Sequence, residues 1–329
     1  MNIYITYFTD KGRELCKSLE WELQSEKIFI RNGESPKDWT RAAFENADAV
    51  IFIGAAGIAV RSCAPFLKGK DKDPAVLVCD ELGKYVIPIL SGHIGGANAL
   101  ALQLARYIGA EPVITTATDL NGVWAVDNWA VKNGFYIPKP QDIKYISAAL
   151  LRGERVGLAS DIPLPKSLID ELPENVVLND TGLKNGIVLT PFLSENCFEN
   201  TLTLVPRCVA LGVGCKKNTP IYLLYDAFCQ LRIYPQAVKY VATIDLKQEE
   251  SAVHNLCKET GAELKCYTAA ELKKAEGEFS KSDFVKSITG VDNVCERAAA
   301  LASNGGEPII KKTVYNGTTI AACMIRDEE

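Results

Sequence analysis

No Cys-x-x-Cys pair occurs in this sequence, although eleven cysteines are spread along its 329 residues. Scattered thiols of this kind read as small core residues in a reducing compartment, not as a metal cage or a disulfide framework. No uninterrupted apolar run approaches the ~20 residues of a membrane-spanning helix. Met1-Asn2-Ile3-Tyr4-Ile5 reads directly as a strand rather than as a basic and apolar leader. Excess positive charge is missing too. The formal net charge is −5, which gives nucleic acid and anionic membranes nothing to hold at long range. The dinucleotide fingerprint Gly-x-Gly-x-x-Gly and the phosphate loop Gly-Lys-Ser/Thr are both absent, which argues against a nucleotide-dependent enzyme. There is no internal repeat and no low-complexity segment. The expectation is a cytoplasmic protein with no nucleic-acid or membrane partner and no metal site of its own.

What is present is enough to fold. Apolar residues make up 47% and charged residues 23%, so cores can form without staples, and the length suggests about two domains. Asn2–Phe8 is β-rich and Gly12–Leu23 has helical composition. Ala49–Ile53, Ala75–Cys79 and Tyr85–Leu90 are short apolar strands, the last two joined by the turn Asp80-Glu81-Leu82-Gly83. Ala97, Leu100, Ala101, Leu104, Ala105 and Ile108 recur at helical spacing and stop at Gly109. Val113–Thr116 supplies a further strand. From Pro138 onward prolines punctuate short elements, with Val156–Ala159 and Ile187–Thr190 as strands. The last part holds a strand at Val209–Val213 and a helix starting at Thr219-Pro220. A strand at Ala237–Ile244 and helices at Gln248–Thr260 and Val291–Ala302 follow. The hairpin Pro308–Tyr315 and Thr318–Met324 closes on Asn316-Gly317. The expected class is α/β. Two three-layer α/β domains with largely parallel sheets occupy 1–137 and 207–329, joined by a small middle module or linker at 138–206.

Four loops could carry chemistry. Ser91-Gly92-His93-Ile94-Gly95-Gly96-Ala97-Asn98 lies between a strand and the strongest helix. Its glycines allow close backbone approach, and a helix start favours a carboxylate, a phosphate or a developing oxyanion. His93 is one of only two histidines. The plainer account is a glycine-shaped turn with His93 capping a carbonyl. His254 falls on a charged helix and reads as solvated. Gly54-Ala55-Ala56-Gly57 ends another strand and leads to Arg61. If the strands run in parallel, both loops and the polar run Thr115-Thr116-Ala117-Thr118-Asp119-Leu120-Asn121 share one edge of the sheet, with Trp124 and Asp127 beyond. Thr118 and Asp119 taken singly also fit a helix cap. In the last part Gly214, Lys216 and Lys217 precede the helix at Thr219. Cations there oppose the helix dipole, which suggests a bound anion, unless both lysines simply point into water.

These segments resemble the CbiG family of cobalamin biosynthesis. The likeness is carried by Leu90–Asn98, by Thr115–Asp119 continuing to Trp124 and Asp127, and by Leu211-Gly212-Val213-Gly214-Cys215. Thr289-Gly290-Val291-Asp292, Glu296-Arg297-Ala298-Ala299 and the closing hairpin add to it. The resemblance implies cobalt-precorrin-5A as substrate, a ring-contracted tetrapyrrole with acetate and propionate arms, one of them closed as a δ-lactone. Hydrolysis opens the lactone and releases acetaldehyde. Cobalt then arrives with the substrate and no cofactor is needed. The family also implies contacts with other corrin-pathway enzymes. On this footing His93 is the candidate general base, the Gly95 and Gly96 amides stabilise the oxyanion, and Asp119 or Asp127 orients His93 or takes a second proton. Gly54, Gly57, Arg61, Ser91, Gly92, Asn98, Thr115, Thr116, Asn121 and Trp124 are candidate substrate contacts, with Gly214, Lys216 and Lys217. A covalent route through Cys63 or Cys215, and a corrinoid-binding protein without catalysis, are the alternatives.

Overall fold

Six strands in the order β2-β1-β3-β4-β5-β6 make the first sheet of this computed structural model. The structure describes residues 1–326 apart from 70–71, 93–94, 121 and 194–196, and it leaves the side chains of Thr118 and Asp119 undescribed. The elements are β1 (Asn2–Tyr7), α1 (Asp10–Glu22), β2 (Lys27–Ile30), α2 (Pro36–Asn46), β3 (Ala49–Ile53) and α3 (Ala56–Cys63). They continue with β4 (Ala75–Cys79), β5 (Tyr85–Leu90), α4 (Ala97–Ile108), β6 (Glu111–Pro112), α5 (Ala117–Leu120) and α6 (Val126–Lys132). Local chemistry sets the ends. Thr9 Oγ1 accepts from Gly12 N at 3.1 Å to start α1, Ser35 caps α2 ahead of Pro36, and Gly109 ends α4 in the left-handed conformation.

All five residues of β3 are buried, because helices cover both faces of the sheet. Ile51 and Ile53 pack with Leu19 of α1 and Leu104 of α4, while Val50 and Phe52 pack with Trp39 of α2 and Ala59 of α3. This is the expected three-layer sandwich. One strand departs from the sequence reading: the segment 113–116 is not a strand, and the ladder ends at Pro112.

The contacts divide the chain into Met1–Val131 and Lys132–Glu329. The second unit opens with α7 (Ile143–Leu151), β7 (Val156–Ser160), α8 (Lys166–Ile169), β8 (Val176–Leu178), β9 (Asn185–Leu189) and β10 (Asn200–Leu204). Its strands form an all-parallel sheet, β10-β9-β7-β8. The middle stretch is therefore a folded sheet and not a linker. Gly157 and Gly186 are paired across β7 and β9, and a Cβ on either would sit 2.4–2.5 Å from the Phe198 ring that lies over them.

Next come β11 (Val209–Gly214), α9 (Leu223–Cys229), β12 (Val238–Ile244), α10 (Ser251–Thr260) and β13 (Glu263–Tyr267). The series ends with α11 (Ala269–Leu272), α12 (Asp283–Thr289), α13 (Cys295–Ala302), β14 (Pro308–Tyr315) and β15 (Thr318–Met324). The sheet order is β13-β12-β11-β15-β14, with β13, β12 and β11 parallel and the closing hairpin antiparallel. Leu224 and Phe228 of α9 and Leu256 of α10 cover one face, and Leu272 of α11 and Ala298 of α13 the other. The helix expected at Thr219-Pro220 starts instead at Leu223. Thr219 Oγ1 donates to Lys216 O at 2.9 Å within a turn, so it caps nothing.

Candidate functional site

The strand β5 decides which loops of the first unit can meet. It runs antiparallel to β4, with Leu90 opposite Val76 at the start of β4, and β6 follows β5 in parallel. Ser91–Asn98 therefore emerges at the edge where β3 and β4 begin, whereas Gly54 follows the end of β3 at the other edge. The shared cleft expected for Gly54–Arg61 and Ser91–Asn98 does not form. Gly54 has φ 152°, and Arg61 is exposed with its guanidinium folded back over Gly57.

The other two segments do come together. Asn98 is buried, and its Nδ2 donates to Thr116 Oγ1 at 3.0 Å. Ser91, at φ 57°, donates from Oγ to Asp73 O at 2.9 Å. The loop also closes on itself, since Ala97 N donates to Ser91 O at 3.1 Å and Asn98 N to Gly92 O at 2.9 Å. Those first amides of α4 are thus occupied rather than presented to a ligand. Close approach explains two of the glycines: a Cβ at Gly95 would lie 2.4 Å from Ser91 Cβ, and one at Gly92 2.9 Å from Asn98 Oδ1. Gly96 stands at φ 80°, a conformation that glycine adopts without strain.

Thr115 is exposed, and Trp124 is half-buried with its ring 5.4 Å from that of Trp129. Asp127 is buried in the first turn of α6, its Oδ1 accepting from Asn128 N at 3.1 Å. His93 and Asn121 lie outside the described residues, as does the side chain of Asp119. What the structure describes here is the two pinned ends of the loop that, in sequence, contains His93.

The second unit holds a cleft of about 1040 Å³ at the C-terminal ends of β11 and β12, where α/β sheets commonly bind ligands. Gly214, Lys216 and Lys217 line it, and no helix starts directly after them. Lys247, Glu250, Asn293, Cys295 and Lys312 line it as well, none of them singled out beforehand. They come from separated segments with no local pattern. Glu250 ties two walls together, accepting from Thr219 N at 3.0 Å and pairing with Lys247 at 3.3 Å. Among the described residues no carboxylate pairs with Lys216, Lys217 or Lys312.

Behind this cleft a buried carboxylate joins three segments. Glu296 accepts from Ser280 N at 2.8 Å, Ser280 Oγ at 2.9 Å and Asn293 Nδ2 at 2.5 Å through Oε2, and from Lys312 N at 2.8 Å through Oε1. Burial alone would raise its pKa. The amides of Lys312 and Ser280, with the Ser280 and Asn293 side chains, outweigh burial and hold it below the usual carboxylate range. A depressed folded-state value means that the charge stabilises the fold above the unfolded-state pKa, and that this contribution fades as pH falls through the folded-state value. Glu296→Gln is expected to cost about 2 kcal/mol near neutrality. In urea titrations across the acid range the gap between wild type and variant should narrow as pH falls. A constant gap would show that Glu296 carries no charge in the fold.

Cys63 and Cys215 do not suit nucleophilic roles. Cys63 is the last residue of α3, and burial, reinforced by Asp73, pushes its pKa to about 12. Burial likewise raises Cys215 and takes Cys295 to about 11. Among the described residues no group of three or more His, Cys, Asp and Glu side chains could hold a metal ion, and no helix is long and apolar enough to cross a membrane.

Comparison with known proteins places three consecutive matches on the chain. Residues 38–119 match the family model described as cobalamin synthesis G N-terminal, 124–206 the cobalamin biosynthesis central region, and 209–323 the cobalamin synthesis G C-terminus. A cobalt-precorrin-5A hydrolase from Salmonella typhimurium is 37% identical over 283 residues, covering 80% of this chain and 79% of its own length. One of the same name from Priestia megaterium is 29% identical over 86% of this chain and 80% of its own. A probable cobalt-precorrin-5A hydrolase from Methanocaldococcus jannaschii is 28% identical over 98% of both.

Proposed function

The chain belongs to the CbiG family of cobalamin synthesis, and from that premise we propose that it is a hydrolase of cobalt-precorrin-5A. It opens the δ-lactone and releases acetaldehyde to give cobalt-precorrin-5B. The observation that carries this is the 37% identity to a hydrolase of that name over 80% of the chain. Cobalt comes and goes as part of the substrate. The cleft also supports the reading, because Lys216, Lys217 and Lys312, which pair with no carboxylate among the described residues, suit a ligand with several carboxylates.

In the mechanism we assign, His93 takes a proton from water as it attacks the lactone carbonyl, and the Gly95 and Gly96 amides receive the oxyanion. Collapse breaks the ester C–O bond, leaving an acetate arm and a hydroxyl on the two-carbon fragment. Removal of the hydroxyl proton then lets the carbon–carbon bond break. The fragment leaves as acetaldehyde, and the bonding pair passes into the macrocycle, which is protonated. One water is consumed. Asp127, buried in α6, is a candidate to orient His93 or to take the second proton, as is Asp119. Lys216 and Lys217 hold substrate carboxylates.

The test is anaerobic incubation with cobalt-precorrin-5A while acetaldehyde is trapped. Stoichiometric acetaldehyde is expected. Folded protein that binds the substrate and releases none would make this a corrinoid-binding protein without catalysis.

A further inference from the structure

We propose that the cleft of the second unit receives the macrocycle flat against α12, with Lys312 as a further carboxylate-binding residue. This rests on the reading that the ligand is a polycarboxylated tetrapyrrole.

Two features of the cleft demand different things of a ligand. The first is apolar. Phe284 and Ile288 stand one turn apart on α12, 69% and 62% exposed, and Val314 and Leu246 line the same cleft at 66% and 68% exposed. Four large apolar side chains converging on one concavity, all mostly in water, form a surface that calls for an occupant. The second is cationic. Lys312 lies two residues from Val314 on β14, beside an irregularity in the ladder with β15, and both residues line the cleft. Its backbone is held by Glu296, so the cation projects from an anchored point of the strand. Lys216 and Lys217 stand on the loop after β11, with the stem of Lys216 beside the hairpin turn at Gly317.

A small anion would satisfy the lysines and leave the apolar wall wet. A single-headed lipid would cover the wall and engage one lysine. A broad flat ring with carboxylates around its rim answers both.

The experiment uses the full chain and uroporphyrin, a fluorescent polycarboxylated macrocycle that carries no lactone, with binding read by fluorescence anisotropy. The double variant Phe284→Ala with Ile288→Ala should weaken binding at least roughly 10-fold. Lys312→Ala should weaken it by about 5-fold and make it less sensitive to salt. Lys239→Ala, a lysine that does not line this cleft, should leave it within about twofold. Because Phe284 and Ile288 are exposed, both variants should melt like wild type, which a thermal scan confirms. Wild type that fails to bind uroporphyrin, or cleft variants that bind as wild type does, would overturn the proposal even with acetaldehyde release intact. Uroporphyrin binding that depends on Phe284 and Lys312 in a protein that releases no acetaldehyde would support it while overturning the hydrolase reading.

Discussion

Gly212→Ala lowers the unfolding free energy by more than about 3 kcal/mol in the outcome expected from the packing of α13 on β11. A Cβ at Gly212 would lie 1.7 Å from Cys295 O and 2.7 Å from Ala299 N. Both are backbone atoms of a helix, so no rotamer change can relieve the clash. The helix must lift off the sheet, and it carries Ala298 in the core and Glu296 in the network behind the cleft. Damage should therefore reach ligand binding as well as stability. Gly182→Ala is the control, since its Cβ would meet only Asp180 Oδ1 at an ordinary 3.5 Å. Urea denaturation followed by circular dichroism compares the two. Equal midpoints for both variants would mean that α13 sits farther from β11 than the structure places it.

His93→Ala should slow acetaldehyde release by about 10²–10⁴-fold, the range general acid–base catalysis supplies, with affinity for uroporphyrin unchanged within a few fold. In sequence, His93 falls between Ser91 and Asn98. Its loop is held at one end by the Ser91 bond to Asp73 O and at the other by the Asn98 bond to Thr116. Gly92 and Gly95 are required by the loop's own packing, so neither glycine needs a ligand to explain it. His93 is the one titratable residue of the motif Ser91–Asn98. Full turnover by His93→Ala would remove it as the base and bring Asp127 forward.

Much of the architecture was legible because local signals agreed. The buried run Ala49–Ile53 could only be a strand covered on both faces, and Asn316-Gly317 between β-rich runs marked the hairpin to the residue. Strand direction, too, has a signal in the sequence. Asp80–Gly83 is a turn too short for a parallel crossover. Asp80 caps it by accepting from Leu82 N, Lys84 N and Tyr85 N, with Gly83 at φ 65°. A turn of that length reverses the chain and fixes β5 antiparallel to β4. Taken to its end, it would have moved Ser91–Asn98 to the other edge. The apolar wall and Lys312 left no trace of this kind. Phe284 and Leu246 belong to segments tens of residues away from Lys312 and Val314 on β14, and only the fold brings them to one cleft.

The pairing of β11 with β15 has a consequence in time. Thr319 reaches Gly214 across 105 positions of chain, and β15 is the partner that completes the sheet around β11. During synthesis β11 and β12 emerge long before the strand that must lie beside them. Lys312, Val314 and Gly317 arrive with that late hairpin. A nascent chain therefore has no finished cleft to occupy until the closing hairpin has been made.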